Sequence, residues 1–437
     1  RMYTQPVLYV DDALLVQRLG EIKEEKHKLL EGLKRELDCA DEECVRMKLA
    51  SNPQFADLLR KFNIDPPMKI SPTTGKETYA LAKNDEGFIE LQEHNNPFIQ
   101  RLCAVRLGTK STIEESRIER FIEIGKRNEG KIPIPLKYYG AHTGRWAGQD
   151  SVNFQNLPSR DKKKKTLKNS IMAPPGHRVI NCDSSQIEAR VLAWIAGQTD
   201  VTEQFRNKED VYSIFASKIY KKQVSKDTPV ERFVGKTCIL GLGYGTGAAK
   251  LRHTLKTQPP GAALPEEECK RIVDLYRESN NKITELWKAC DQAVKHIAGW
   301  SSEMNDYSLD DRGVVQVDSS GLRLPNGLYI RYPNLRLKDN KMHYDSRKGP
   351  VSIWGGAVVE NVVQALARII VGEQMLKLRE RYRPVLTVHD AAVIIAPKTE
   401  LEDALAFITQ VMSTPPNWAE GLPVACEAKH GESYGDC

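Results

Sequence analysis

Several features that mark other classes of protein are missing from this sequence of 437 residues. No uninterrupted run reaches the ~18 apolar residues that a membrane-spanning helix needs. No internal repeat and no extended low-complexity segment occurs. The first residues, Arg1 to Thr4, are not a charged segment followed by an apolar one, and the stretch after them is typical of the middle of a domain. We therefore expect globular domains without a membrane partner, belonging to a longer protein.

Cysteine is scarce and scattered, with nine residues between Cys39 and Cys437. No two cysteines have the Cys-x-x-Cys spacing of zinc ribbons and redox motifs, so neither kind of site is predicted. Scattered cysteines in an odd number indicate a reducing compartment. The predicted location is cytoplasmic, in the host cell if the protein is viral.

Charge of one sign does not dominate either, since the formal net charge is only +6. Such a value alone is weak evidence for a nucleic-acid partner. The densest basic run extends from Arg160 to Lys165, and Lys168 lies just beyond it. This run has two interpretations, a solvated loop or a strip that contacts DNA phosphates and releases counterions.

The length predicts two or three domains. Up to about residue 133 the patterns are mostly helical: residues 14–49 have apolar residues at near-helical spacing, and Ser111–Asn128 opens with a capping-box pattern. From Pro133 onward the patterns are mixed. The elements expected there are a strand at 179–182, helices at 186–197, 232–242 and 360–378, and a hairpin at 385–396.

The first segment with chemical potential is an apolar strand that ends at Asp183, directly before a predicted helix. A carboxylate at such a junction stands on a rigid support and faces solvent. The alternative is a helix cap, because Ser185 and Glu188 have the spacing of a capping box. Neither interpretation is excluded by this segment alone.

The second segment is the predicted hairpin, whose two apolar strands flank His389 and Asp390. A polar tip between buried strands is costly unless the tip has a polar role. The alternative is a tight turn in which aspartate is only a good turn former. Together, however, Asp183 and Asp390 could hold two magnesium ions, which take oxygen ligands and assist phosphoryl transfer.

The third segment, residues 231–245, has Arg232, Lys236, Leu240 and Tyr244 at intervals of four. Helical spacing would align them over about 18 Å, from a triphosphate at the basic end to a base or sugar at the apolar end. The alternative is an ordinary amphipathic helix with exposed basic residues. A P-loop is excluded, because Val230 occupies the position of its first glycine.

The fourth segment combines His142–Trp146 with Asn153–Pro158. Its arginine, asparagine and glutamine side chains can bind the acceptors that every base pair presents in the minor groove. Taken alone, however, this segment predicts only a polar loop.

These four segments, in this order and spacing, resemble the family A DNA polymerases, the family of bacterial DNA polymerase I. Residues 183–190 resemble motif A, residues 232–245 motif B and Val388-His389-Asp390 motif C. The resemblance is clear over residues 134–437 and loose before them, and short surface motifs are similar to phage members. It implies an α/β (α+β) right-hand fold whose palm has an antiparallel sheet. The implied regions are a thumb-like helical region at 1–133, palm at 134–205, fingers at 206–365 and palm again at 366–437.

The resemblance also implies roles for individual residues. Asp183, Asp390 and the Ser184 carbonyl would hold two Mg²⁺ ions, with Mn²⁺ as a substitute, and Lys236 would protonate the leaving pyrophosphate. Glu188 would exclude the sugar 2′-hydroxyl, and Tyr244 would lie by the templating base. The implied nucleotide-binding residues are Gln186, Glu188, Arg232, Lys236, Leu240 and Tyr244. The implied DNA-binding residues are Arg145, Asn153, Gln155, Arg160, Gln364 and His389.

Four positions depart from the family pattern. Ala391 replaces the glutamate that usually follows His-Asp in motif C, which removes a third carboxylate. Leu240 occupies the usual aromatic position of motif B. Glu360 and Gly356 stand where the family often has asparagine and arginine, so fewer minor-groove contacts are expected.

The function implied is template-directed DNA synthesis from deoxynucleoside triphosphates on a primer-template, in replication or repair. Accessory replication proteins cannot be identified from the sequence. The alternative is a catalytically inactive DNA-binding remnant, which would have lost a metal aspartate or the triphosphate pair. Asp183, Asp390, Arg232 and Lys236 are all present, and this favours the enzyme.

Overall fold

The computed structural model describes residues 1–71, 74–150, 152–159, 163, 165–300 and 305–437. Two compact units form. The larger comprises Arg1–Leu8, Pro133–Leu157 and Ala173–Cys437, and the smaller comprises Tyr9–Ile132 and Pro158–Met172. The mixture of helices and strands expected for the fold class is confirmed.

The α-helices of the described residues are α1 (Asp12–Glu31), α2 (Glu42–Ala50), α3 (Asn52–Lys61), α4 (Glu86–Gln92), α5 (Pro97–Lys110), α6 (Ile113–Arg127), α7 (Thr166–Asn169), α8 (Ile187–Ile195), α9 (Thr199–Arg206), α10 (Val211–Tyr220), α11 (Pro229–Leu242), α12 (Ala248–Thr257), α13 (Glu266–Ser279), α14 (Asn281–Ile297), α15 (Gly355–Leu378) and α16 (Leu401–Met412).

The β-strands are β1 (Tyr9–Val10), β2 (Met68–Ile70), β3 (Glu77–Tyr79), β4 (Leu136–Lys137), β5 (Ala147–Gly148), β6 (Ile171–Met172), β7 (His177–Ser184), β8 (Tyr307–Ser308), β9 (Gln316–Asp318), β10 (Gly321–Arg323), β11 (Tyr329–Ile330), β12 (Arg336–Lys338), β13 (Lys341–Ser346), β14 (Gly349–Ile353), β15 (Pro384–Val388), β16 (Ala391–Pro397) and β17 (Cys426–Gly431).

The smaller unit is mainly helical and has its own core, in which Leu33, Phe55 and Phe88 are fully buried. The helical pattern at 14–49 is divided between α1 and α2, and Asp11 caps α1 by accepting a hydrogen bond from the backbone N–H of Leu14. The expected capping box at Ser111 is not formed, because α6 begins one residue later, after Thr112. The structure pairs Cys39 with Cys44 as a disulfide, whereas the sequence pattern indicated reduced cysteines.

The larger unit contains a four-stranded sheet with the order β15-β16-β7-β17, in which all neighbouring strands are antiparallel. Strand β7 lies inside this sheet and pairs with both β16 and β17. Its side chains alternate between the two faces, so Ile180 and Cys182 pack into a core with residues of α16 such as Ile408. Asp183 consequently lies on the opposite face of the sheet from Cys182.

Helix α15 is long and apolar enough to span a membrane by length and composition alone. Of the most apolar 18 residues of this helix, 67% are buried inside the protein. Val359, Val362, Val363 and Leu366 belong to the main core of the larger unit. The composition of α15 is therefore explained by burial within the fold.

Candidate active site

The two aspartates singled out from the sequence are adjacent in the structure. Asp183 is the second-last residue of β7, and Asp390 occupies the two-residue turn between β15 and β16. The backbone N–H of Ser184 donates to the carbonyl oxygen of Asp390 at 3.1 Å. Sheet pairing therefore brings together two carboxylates that are separated by more than two hundred residues of chain.

The turn that presents Asp390 is held by a buried glutamine. Gln155, only 8% exposed, donates from its side-chain amide to the carbonyl of Thr387 at 2.6 Å. Its amide oxygen accepts from the backbone N–H of His389 at 2.8 Å. His389 itself has a positive φ of 51°, which few side chains tolerate without such support. Asn153 in turn accepts from the backbone N–H of Gln155.

These contacts show where two expected DNA-binding residues lie. Gln155 and Asn153 are engaged within the protein, and they brace the turn at Asp390. The side chain of His389, by contrast, is exposed. Arg160 lies outside the described residues, as do Lys162 and Lys164 of the basic run.

Arg145 lies between the carboxylates of Asp390 and Glu188. Its guanidinium forms an ion pair with Glu188 and is 3.5 Å from a carboxylate oxygen of Asp390. The pKa of Asp390 is raised to about 6, chiefly by burial. The positive charge of Arg145 lowers this pKa, and the negative charges of Glu188 and Asp183 raise it. The site thus holds more negative than positive charge, and burial disfavours the charged form of Asp390.

The carboxylate of Glu188 accepts hydrogen bonds from two directions, from Arg145 and from the hydroxyl of Tyr244 at 3.3 Å. Helix α8 begins at Ile187, and its N-cap residue, Gln186, makes no side-chain capping bond. The capping interpretation for Glu188 is therefore wrong. Burial raises the pKa of Tyr244 well above its usual value, and the nearby carboxylates of Glu188 and Glu360 raise it further. The hydroxyl therefore stays protonated and remains a hydrogen-bond donor.

Helix α11 carries the third sequence segment. Lys236 and Leu240 are exposed on it, Leu240 to 41%, whereas Val234 and Cys238 are buried. The helix ends at Leu242, so Tyr244 follows it in a turn. Gly235 lies inside the helix, where a Cβ atom would collide with the carbonyl of Tyr212 on α10. The glycine therefore serves helix packing, which agrees with the exclusion of a P-loop.

Gln364 lies on α15 and shares its amide between two partners. It donates to Glu360 at 3.1 Å, and its oxygen accepts from the hydroxyl of Thr143 at 3.4 Å. Thr143 precedes Arg145 by two residues. These bonds connect α15 to the segment that carries Arg145.

Two residues of the site were missed from the sequence. Asp210 binds Arg232 through two hydrogen bonds of 2.7 and 3.2 Å. Burial opposes ionisation of Asp210, but hydrogen bonds from Arg232 and Ser213 lower its pKa on balance. The only sequence signal for this pair was an aspartate directly before a helix.

The second missed residue is Glu427 on β17. The strand register places Asp183 directly between Ala391 on one side and Glu427 on the other. Directly opposite residues of antiparallel strands share one face of the sheet. A third carboxylate is therefore present on the face of Asp183, although position 391 lacks one. The alternation of residues along 426–431 could have shown which residues lie on the same face of β17 as Glu427. It could not have shown that β17 pairs with β7.

The site fits a hard divalent cation. Its donors are carboxylate oxygen atoms on neighbouring strands, and a bound cation would stabilise the charged form of Asp390, which burial disfavours. Such an arrangement can bind metal ions that in turn bind an anionic phosphate.

Comparisons with known proteins identify relatives of the whole chain. The DNA polymerase of Bacillus phage SP02 is 29% identical over 426 residues, covering 86% of this chain and 62% of the phage protein. The thermostable DNA polymerase I of Thermus thermophilus is 25% identical over 361 residues, covering 83% of this chain and 38% of that enzyme. The chain therefore spans less than two thirds of the length of these relatives.

The fold has a solved counterpart. The POL domain of Pol1 from M. smegmatis, in a complex with DNA primer-template and dNTP, superimposes with a TM-score of 0.69 at 19% identity. The match covers 98% of this chain and 68% of that one. The family model for DNA polymerase family A matches residues 16–304, which is more than half of the chain. With this match and the paired aspartates, the chain belongs to DNA polymerase family A.

Proposed function

We propose that this chain is a template-directed DNA polymerase that adds deoxynucleotides to the 3′ end of a primer. The observation that carries the proposal is the pairing of Asp183 and Asp390 at one end of an antiparallel sheet, near a network that includes Glu188 and Tyr244. The relatives named DNA polymerase, and the primer-template and dNTP in the solved counterpart, support the same substrates.

The proposed subdomains are those of a right hand. The smaller, helical unit would contain the thumb, with the boundary near residue 133. The sheet of β15, β16, β7 and β17 would form the palm, and the helices between residues 206 and 365 would form the fingers. The compartment that fits is the cytoplasm, that of the host cell for a viral protein.

In the proposed reaction, Asp183, Asp390 and the carbonyl of Ser184 would hold two Mg²⁺ ions, or Mn²⁺. When bound, these ions supply charge stabilisation to the transferring phosphoryl group and a lower pKa to the primer 3′-hydroxyl. Gln155 keeps the Asp390 turn in place through its two hydrogen bonds. The exposed Lys236 is free to approach the triphosphate and to donate a proton to the leaving pyrophosphate.

Arg232 would bind the triphosphate with a side chain that Asp210 already holds in place before the nucleotide binds. Its ion pair with Asp210 orients the guanidinium, so less conformational freedom is lost when the phosphate binds. Gln186 would assist at the nucleotide, and Arg145, Gln364 and His389 at the primer terminus. Asn153 and Gln155 would support that surface from beneath, and the basic run with Arg160 would contact phosphates.

Primer extension tests the proposal directly. The purified chain, a primer-template and Mg²⁺ are incubated with either deoxynucleotides or ribonucleotides. Extension with deoxynucleotides is expected. Extension only with ribonucleotides would indicate an RNA polymerase, and DNA binding without any extension would indicate an inactive remnant.

Leu240→Tyr is expected to relax discrimination against dideoxynucleotides. Leucine has no polar atom, whereas a tyrosine hydroxyl can replace the missing 3′-hydroxyl of a chain terminator. One hydrogen bond of about 1 kcal/mol changes the ratio of insertion efficiencies roughly fivefold. Single-nucleotide insertion with matched deoxy and dideoxy substrates measures this ratio. Leu240→Phe is the matched control, since it adds the ring without the hydroxyl. An equal ratio in wild type and Leu240→Tyr would place position 240 away from the sugar.

Glu427→Gln is expected to weaken Mn²⁺ binding about tenfold, as loss of a supporting carboxylate commonly does. The reason is that Glu427 adds negative charge on the face of Asp183, where Ala391 adds none. Lys429 currently pairs with Glu427 at 3.0 Å, so metal binding competes with this ion pair. Titration of Mn²⁺ followed by electron paramagnetic resonance measures the affinity without any turnover. Glu402→Gln, on the surface of α16, is the control, and equal affinities in the two variants would exclude a role for Glu427.

A further inference from the structure

The larger unit contains a cavity of about 600 Å³ that the proposed polymerase reaction does not use. It is bordered by residues 1–3, by the segment 138–146, by one face of α15 and by the residues that follow α15. Thr143, Gly144 and Trp146 line it, whereas Arg145 in the same segment reaches Glu188 and Asp390 instead. The cavity and the carboxylate site therefore share this segment but use different side chains of it.

One wall of the cavity is aromatic. Tyr138 and Trp146 lie edge to face with their ring centres 5.1 Å apart, and Tyr139 lies beside them. Tyr138 is 61% exposed, so its ring is accessible to a ligand. Gly144 has a φ of 78°, and a Cβ atom there would lie 2.8 Å from the ring of Tyr139. The backbone of this segment is thus shaped to accommodate the rings.

The part of the lining that α15 contributes is basic. Arg368 of α15 holds its guanidinium 5.5 Å from the ring centre of Trp146, and its Nε atom is buried without a hydrogen-bond partner. In the described part of the chain, no carboxylate oxygen lies within 4 Å of Arg368. Gly372 makes room for it, because a Cβ atom at 372 would collide with the guanidinium. A buried arginine that has no anionic partner can bind an anion through its N–H donors.

Further charges have the same sign. Arg379 and Arg383 also line the cavity. One terminal nitrogen of Arg383 donates to the carbonyl oxygens of Arg1 and Gln5, whereas its Nε atom is buried without a partner. The acidic residue of the lining, Glu373, already accepts a hydrogen bond from the indole N–H of Trp418 at 2.9 Å. The cavity therefore combines stacking surfaces with unsatisfied cationic donors.

We propose that this cavity binds a nucleotide that is not base-paired. Its base would stack on Tyr138 and Trp146, and its phosphate would bind Arg368 and Arg383. A volume of about 600 Å³ is in the range of small-ligand sites. Aromatic rings next to arginines are also the means by which proteins hold unpaired bases. The same chemistry is offered by a free mononucleotide and by one nucleotide of a single strand.

Photocrosslinking locates the ligand and distinguishes the two sources. The full chain is irradiated without metal ions, either with 5-iodo-deoxyuridine monophosphate or with a thymidylate pentamer that carries one 5-iodouracil. Adducts on Tyr138, Tyr139 or Trp146, mapped by mass spectrometry, are expected. Adducts with the mononucleotide identify free nucleotide as the ligand, and adducts with the pentamer alone identify single-stranded DNA. Adducts confined to other parts of the chain would overturn the proposal.

Leu376→Glu provides the matched test of affinity. Leu376 lines the cavity and is 65% exposed, so the substitution adds a repelling carboxylate without disturbing the core. Leu337→Glu is the control, since Leu337 is 56% exposed and lies outside the lining. Binding of the ligand identified above is expected to weaken at least about tenfold in Leu376→Glu and in Arg368→Gln, but not in the control. Equal affinity in Leu376→Glu and wild type would refute the assignment, and circular dichroism verifies that the variants are folded.

Discussion

Primer extension by Asp183→Asn or Asp390→Asn is expected to fall at least about 1,000-fold, which corresponds to roughly 4 kcal/mol of lost transition-state stabilisation. Each substitution keeps the shape of the side chain but removes the charge that would hold the metal ions. Affinity for primer-template DNA is expected to change little, because phosphate contacts supply most of it. Single-turnover extension and a DNA-binding titration measure the two effects separately.

Stability provides the internal control for this prediction. The pKa of Asp390 is raised from 3.8 to about 6, so the folded protein binds its proton more tightly than the unfolded chain does. Ionisation of Asp390 therefore destabilises the fold progressively as the pH rises from about 4 to 6, and the cost is fully present above pH 6. Asp390→Asn removes this cost.

Metal-free Asp390→Asn should consequently be more stable than wild type at pH 7.5, by an amount on the order of 2 kcal/mol, with little difference near pH 4. Thermal unfolding at both pH values measures this. A variant that is inactive and yet more stable would show that the loss of synthesis is chemical. If extension by either aspartate variant stays near the wild-type rate with Mg²⁺, the two-metal assignment is wrong.

The elements that position the site could be predicted because their patterns are local. Three of the four residues 179–182 in β7 are apolar and Asp183 follows them, and two apolar strands flank the short turn at His389 and Asp390. The helix predicted at 232–242 begins only three residues earlier in the structure, at Pro229. Such elements can be found from burial patterns of 4–12 residues, and the two key aspartates lie at their ends.

Partners across long sequence distances could not be predicted in this way. The proximity of Glu427 to Asp183 depends on which strand is adjacent to β7 and in which register, and strand pairing is set by tertiary packing. The same is true of Asp210 with Arg232, and of Gln155 with the turn at His389. The sequence predicted a DNA contact for Gln155 because its side chain is polar. In the structure this side chain is buried, and its amide bonds to the backbone of Thr387 and His389.

Glu188→Ala is expected to increase ribonucleotide insertion, relative to deoxynucleotide insertion, by about 100-fold. A side chain that fills the space beside the sugar C2′ atom excludes a hydroxyl by its volume, and burial of an unpaired hydroxyl adds to the penalty. In the structure, Glu188 is held in place by Arg145 and by the hydroxyl of Tyr244. Competing incorporation of the two nucleotide sets by a single enzyme preparation measures the ratio.

Glu188→Gln separates volume from charge as the cause. Glutamine has nearly the same size and can still accept from Tyr244, but it cannot form the ion pair with Arg145. If volume excludes the ribose, Glu188→Gln retains the discrimination that Glu188→Ala loses. If the ion pair positions the barrier, both variants lose it, and Arg145→Lys should lose part of it as well, since lysine has no planar fork to share between Glu188 and Asp390. An unchanged ratio in Glu188→Ala would mean that this carboxylate serves only to hold Arg145 and Tyr244, and that the ribose is rejected by another part of the site.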